Sequence, residues 1–215
     1  SGGSHFGYHS QWKSNVFTLS SVCYRWREIA ISTPELWAIL SVALEECAMR
    51  PTKLSLTRSG HHPLILHVDG GSPFYGDDEE EDKKTEAYIR VLTDHSACWR
   101  ELDINEARWS MTMYMADHPV SNTLLLESVS CCKTQIYGLF SHELPDAPIV
   151  TTIDYHFVDE YYKDVEEMKE ALPWQTLHHL TMAYDKKEIR AGILELLRAG
   201  MNLQLLVLNG STTMQ

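Results

Sequence analysis

Asp154 and His156 lie two residues apart, and His179 belongs to the next segment of similar pattern. Residues two apart on an extended strand share a face. A carboxylate and two imidazoles could meet there, a donor set that zinc accepts. No Cys-x-x-Cys and no His-Glu-x-x-His accompanies them, and strand faces gather polar side chains by default. The expectation is therefore no metal and no cofactor. The pairs His61-His62 and His178-His179 read as turn and surface residues. Cys131 and Cys132 are adjacent, so on a strand one faces the core and the other faces out. That makes Cys132 the candidate thiol for reaction, with an inert thiol the expected outcome. The chain holds no Gly-x-Ser-x-Gly elbow, no P-loop and no dinucleotide fingerprint. The chemistry to expect is binding, and the chain is read as not an enzyme.

The elements that must carry these residues repeat. An apolar residue, two variable ones, an apolar residue, one variable and another apolar residue recur five times. The five are Trp99-Leu102-Ile104, Leu126-Val129-Cys131, Val150-Ile153-Tyr155, Leu177-Leu180-Met182 and Leu203-Leu206-Leu208. Their starts are 27, 24, 27 and 26 residues apart. In a chain with 44% hydrophobic residues a single such triplet is cheap. The regular spacing, with room for a helix in each gap, carries the signal. A near-constant period of this length marks a stacked repeat protein with an extended binding face. The expected fold is α/β: a short helical N-terminal segment, then a curved leucine-rich-repeat-like solenoid with a parallel sheet on its concave side.

Strand alternation puts the intervening residues on that concave face. They are Glu101, Asp103 and Asn105; Ser128, Ser130 and Cys132; Thr152, Asp154 and His156; His179, Thr181 and Ala183; and Leu205, Val207 and Asn209. With strands about 4.8 Å apart they form one patch. The partner-binding candidates within it are Glu101, Asp103, Asn105, Ser130, Asp154, His156, His179 and Thr181.

Composition bounds the partners. The formal charge of −12 argues against non-specific nucleic-acid binding and against an anionic membrane surface. No apolar run approaches the roughly 20 residues that a spanning helix needs. Five cysteines at irregular spacing read as reduced thiols of a cytoplasmic or nuclear protein.

Residues 1–11 read as a disordered linker, 12–60 as a helical segment, and 61–215 as the repeat domain with an acidic loop over 69–85. In 16–31, Leu19, Val22, Cys23, Trp26, Ile29 and Ala30 form one helical stripe. A second short helix starts at Pro34, and a further one covers 43–58. Residues 63–68 alternate and read as a strand. The run Asp77-Asp78-Glu79-Glu80-Glu81-Asp82 repels itself and reads as a mobile loop. A helix near 85–97 points Tyr88, Val91 and Leu92 inward. Helices are also expected over 158–172 and 186–199, the latter capped by Asp185 with Glu188 and closed by Gly200. The tryptophans at 12, 26, 37, 99, 109 and 174 are read as core and cap packing.

Two resemblances follow from these residues. The triplets resemble the leucine-rich repeat, in a degenerate form without its asparagine ladder. The block from Leu19 through Val22-Cys23-Tyr24-Arg25-Trp26-Arg27 to Pro34-Glu35-Leu36-Trp37 resembles the second half of an F-box of the type abundant in mushroom-forming fungi. Segments similar to Arg58-Ser59-Gly60-His61-His62-Pro63-Leu64 and Cys98-Trp99-Arg100-Glu101-Leu102 follow it in that family. The resemblance implies a substrate receptor. Leu19, Val22, Cys23, Trp26, Pro34 and Trp37 would dock on a Skp-type adaptor of a cullin ubiquitin ligase, and the repeats would hold a protein substrate. The opening Leu-Pro-x-Glu-Ile/Leu helix of that family has no counterpart in 5–15, so either it lies outside this sequence or the docking function has been lost; the natural chain is expected to be longer at one or both ends. Two other readings stay open: a small-molecule or metal binder using Asp103, Asp154, His156 and His179, and a structural fragment whose F-box-like block is a cap.

Overall fold

The computed structural model describes residues 16–44, 48–69, 79–105, 122–131, 149–155, 172–184 and 202–210, with Tyr114, Asp117, His118, Val120, Arg198 and Gly200. The stretch expected to be one helix is two, α1 (Val16–Val22) and α2 (Tyr24–Ile31). Cys23 between them is extended, at φ −157° and ψ 171°. Just before it, the hydroxyls of Ser20 and Ser21 donate to the carbonyls of Phe17 and Thr18 at 2.9 and 2.7 Å. Such local side-chain bonds compete with helix continuation. A 3₁₀ turn over Pro34–Trp37 follows, with its proline in the first turn, where no N–H is missed.

Strand β1 (Ile39–Ala43) comes next, and helix α3 runs Met49–Ser59. The helix expected over 43–58 is thus preceded by a strand and starts six residues late, and 12–60 is not wholly helical. The reason is visible in Ile39-Leu40-Ser41-Val42, whose burial alternates with period two. Strand β2 (Leu64–Asp69) matches the expected strand. Helix α4 spans Glu79–Thr93, with a 3₁₀ turn at Ser96–Cys98. Four members of the acidic run, Glu79 to Asp82, therefore lie in a helix and not in the expected loop. Carboxylates are favoured beside the positive end of the helix dipole, which offsets their mutual repulsion.

Strands β3 (Trp99–Asn105), β4 (Ser128–Cys131), β5 (Thr152–Tyr155), β6 (His179–Tyr184) and β7 (Leu205–Gly210) complete the set. All five repeated triplets end on these strands. The seven strands form one open parallel sheet in the order β1 to β7. Parallel neighbours need a crossover between them, so each connection returns the chain to the same end of the sheet. Tight turns precede several strands: the N–H groups of Ala38, Cys98, Leu126 and Leu203 reach the carbonyls of Glu35, His95, Thr123 and Gly200 at 3.0–3.2 Å.

One face of the sheet is the core. Leu40, Leu66, Leu102, Val129, Ile153, Leu180 and Leu206 stand in one register row across all seven strands. The first six of them are at most 3% exposed. Trp99, Leu126, Val150 and Leu177, the leading residues of four triplets, are at most 2% exposed. Helix α3 adds Leu56 to this core, and α4 adds Tyr88, Ile89 and Leu92. Thr52 and Tyr88 hydroxyls, both buried, satisfy each other at 2.5 Å. The helices expected over 158–172 and 186–199 fall outside the described residues, apart from buried Leu172 and helical Arg198.

Candidate functional site

The opposite face of the sheet is defined by two register rows. The first runs Ile39, Ile65, Glu101, Ser128, Thr152, His179, Leu205; the second runs Ser41, His67, Asp103, Ser130, Asp154, Thr181, Val207. Because side chains alternate, these residues point away from the leucine rows. The face is apolar at its two margins, where Ile39 and Leu205 are 47% and 50% exposed, and polar between them. No lysine or arginine belongs to either row.

Glu101, Asp103, Ser130, Asp154, His179 and Thr181 all fall on this face, as the triplet spacing predicts. Their grouping is specific. Asp103, Ser130, Asp154 and Thr181 share one row, whereas Glu101 and His179 share the other. His179 pairs with Thr152 and not with Asp154. His156 lies outside the described residues, as does Cys132, and the side chain of Asn105 is likewise not described. Among the described residues no group of three metal-ligating side chains occurs.

Two side-chain contacts engage the carboxylates of the patch. The guanidinium Nη2 of Arg100 reaches Glu101 Oε1 at 3.0 Å, and His67 Nδ1 lies 3.2 Å from Asp103 Oδ2. His67 was not among the face residues expected from the sequence. Its strand alternates as Leu64-Ile65-Leu66-His67-Val68, and stacking that strand beside β3 would have placed it there. Away from the sheet face, Arg90 Nε donates to the Tyr114 hydroxyl at 3.2 Å. This bond is the first cause that raises the Arg90 guanidinium above its ordinary range.

A second surface belongs to the helical segment. The apolar stripe read from the sequence is mostly solvent-facing. Val22, Trp26 and Ile29 are 59%, 48% and 52% exposed, and Cys23 is exposed too. Of that stripe only Ala30 is buried, and Leu19 is half-buried. Trp26 thus corrects the reading of all six tryptophans as packing; Trp12 and Trp109 lie outside the described residues. Among the described residues, α1 and α2 supply Val16, Phe17 and Ala30 to the small core around Trp37. Trp37 itself is 0% exposed. Its Nε1 donates to the Ala30 carbonyl at 2.6 Å, Phe17 meets it edge-on at 5.3 Å, and the Arg58 guanidinium stacks 4.3 Å from its ring. Pro34 is half-buried in the same turn. Of the six proposed docking residues, Val22, Cys23 and Trp26 are exposed, and Trp37 is buried against Ala30 of α2.

No helix among the described residues is long and apolar enough to cross a membrane. Comparison with protein-family models, with curated proteins and with solved structures finds no match to the chain.

Proposed function

We propose that this chain is a protein-interaction module of the substrate-receptor type. In this reading the α2 surface meets a Skp-type adaptor of a cullin ubiquitin ligase, and the open face of an irregular leucine-rich-repeat-like solenoid meets a protein substrate. One observation carries it. Trp26 and Ile29 are large apolar side chains standing in solvent one turn apart on α2, which packs on the Trp37 core through Ala30, and Val22 is exposed at the end of α1. Exposed apolar groups clustered on an anchored element mark an interaction site. The resemblance of the Leu19–Trp37 block to an F-box supplies the kind of partner. The order of the elements supports the division of labour, since α1 and α2 precede all seven strands of one parallel sheet.

The test is co-expression of the affinity-tagged full-length protein with a Skp-type adaptor. Recovery of both proteins in one complex supports the reading. Recovery of the tagged chain alone rejects the adaptor half of it.

A further inference from the structure

The open sheet face has a periodicity of its own. In the second row Asp103, Asp154 and Val207 stand on β3, β5 and β7, with Ser130 and Thr181 on the strands between. Neighbouring strands are about 4.8 Å apart, so the three anchors repeat about every 9.6 Å across the sheet. Asp154 is flanked in its row only by hydroxyl residues, and no cation from either row neutralises it. Asp103 shares its Oδ2 with His67. Beside Val207, Leu205 on the same strand is 50% exposed. Hydroxyls at the intermediate positions are small and can bond a peptide backbone lying over them.

Taking the substrate-face reading as its basis, we infer that this face takes an extended, left-handed polyproline-type segment that crosses the strands. Such a segment repeats every three residues and advances about 9.3 Å in doing so. Side chains three apart therefore point the same way, at the spacing of the anchors. The matching pattern is cation-x-x-cation-x-x-apolar: the two cations meet Asp103 and Asp154, and the apolar residue seats on Val207 and Leu205. Charge complementarity commits the occupant to a basic segment of another protein. The chain's formal charge of −12 draws such a segment in, and a nucleic acid is repelled.

The experiment is fluorescence anisotropy of the whole chain with labelled proline-rich peptides. The probe peptides carry arginine at positions one and four and leucine at seven, in either chain direction. Controls carry glutamate in place of both arginines, or the same residues at intervals of two. The expected result is binding of the probe that weakens with salt, and little binding of either control. Asp154→Asn and Asp103→Asn should each weaken binding about two- to fivefold, the range of an exposed ion pair. Equal binding of all three peptides, salt-independent binding, or unchanged affinity in both variants overturns the inference. The adaptor co-expression above involves α2 and none of these residues, so the two readings fail independently.

Discussion

The indole N–H of Trp37 donates to the carbonyl oxygen of Ala30 at 2.6 Å, joining the helical segment to the turn that opens the sheet. Both residues are buried, and the strand that follows Trp37 is the first of seven. The bond therefore fixes where α2 sits relative to the strands. Replacing Trp37 by Ala should cost about 3–5 kcal/mol through the cavity and the lost packing. Trp37→Phe keeps much of the volume and loses the donor, and should cost less. Urea unfolding of the two variants beside the parent measures both.

Trp26 makes the complementary case. Its ring is half in solvent, so Trp26→Glu should leave stability within about 0.5 kcal/mol of the parent. A large loss in thermal unfolding would show that the exposed stripe packs against something in the free chain.

The two faces of the sheet should respond oppositely to truncation. Leu102 and Leu180 are 3% and 2% exposed in the core row. Replacing either by Ala should cost about 2–5 kcal/mol. Ser130→Ala, one residue beyond Val129 on the open face, should change stability by no more than about 0.5 kcal/mol. Chemical denaturation with equal slopes across the three variants checks this.

Much of this sheet is legible in the sequence, and the reason is physical. A residue buried on one face of a parallel strand cannot be polar without a partner, so Leu102, Val129, Ile153 and Leu180 recur at a fixed interval and betray their common row. The open face follows by alternation, which places Asp103, Ser130, Asp154 and Thr181 together before any coordinates are seen. What was not legible depends on local competition. Strand β1 carries the same spacing in Trp37-Leu40-Val42, but it is five residues long and follows a helical segment, so its alternation is lost among helical neighbours. The break at Cys23 comes from two serine hydroxyls turning back on the preceding turn. The acidic residues at 79–82 look self-repelling in isolation and are stabilised only once a helix forms beneath them. The exposure of Val22 and Trp26 is the instructive case. Apolar spacing predicts a helix face, but whether that face is covered depends on elements the spacing does not describe.

Gly200 gives a sharper packing test. A Cβ there would lie 3.1 Å from Trp174 Cε3 and 3.3 Å from Leu203 Cβ. Gly200→Ala should therefore force Trp174 aside and cost about 1–3 kcal/mol, the range of overpacking. Gly60 differs: its φ is +61° and no atom crowds it. Gly60→Ala should cost about 1–3 kcal/mol through backbone strain alone, since φ +61° with ψ −118° lies outside the left-handed helical well. The double variant Gly200→Ala/Trp174→Leu should recover part of the Gly200→Ala loss, whereas adding Trp174→Leu to Gly60→Ala should recover none, as read from melting temperatures.

The most direct test of the adaptor-receptor account is size-exclusion chromatography of the purified full-length protein mixed with a purified Skp-type adaptor. The account predicts a single earlier-eluting complex with the parent chain, and separate peaks for both proteins when Val22 and Trp26 are changed to Glu in a variant that still folds. Separate peaks with the parent chain, or an undiminished complex with the double variant, would contradict it.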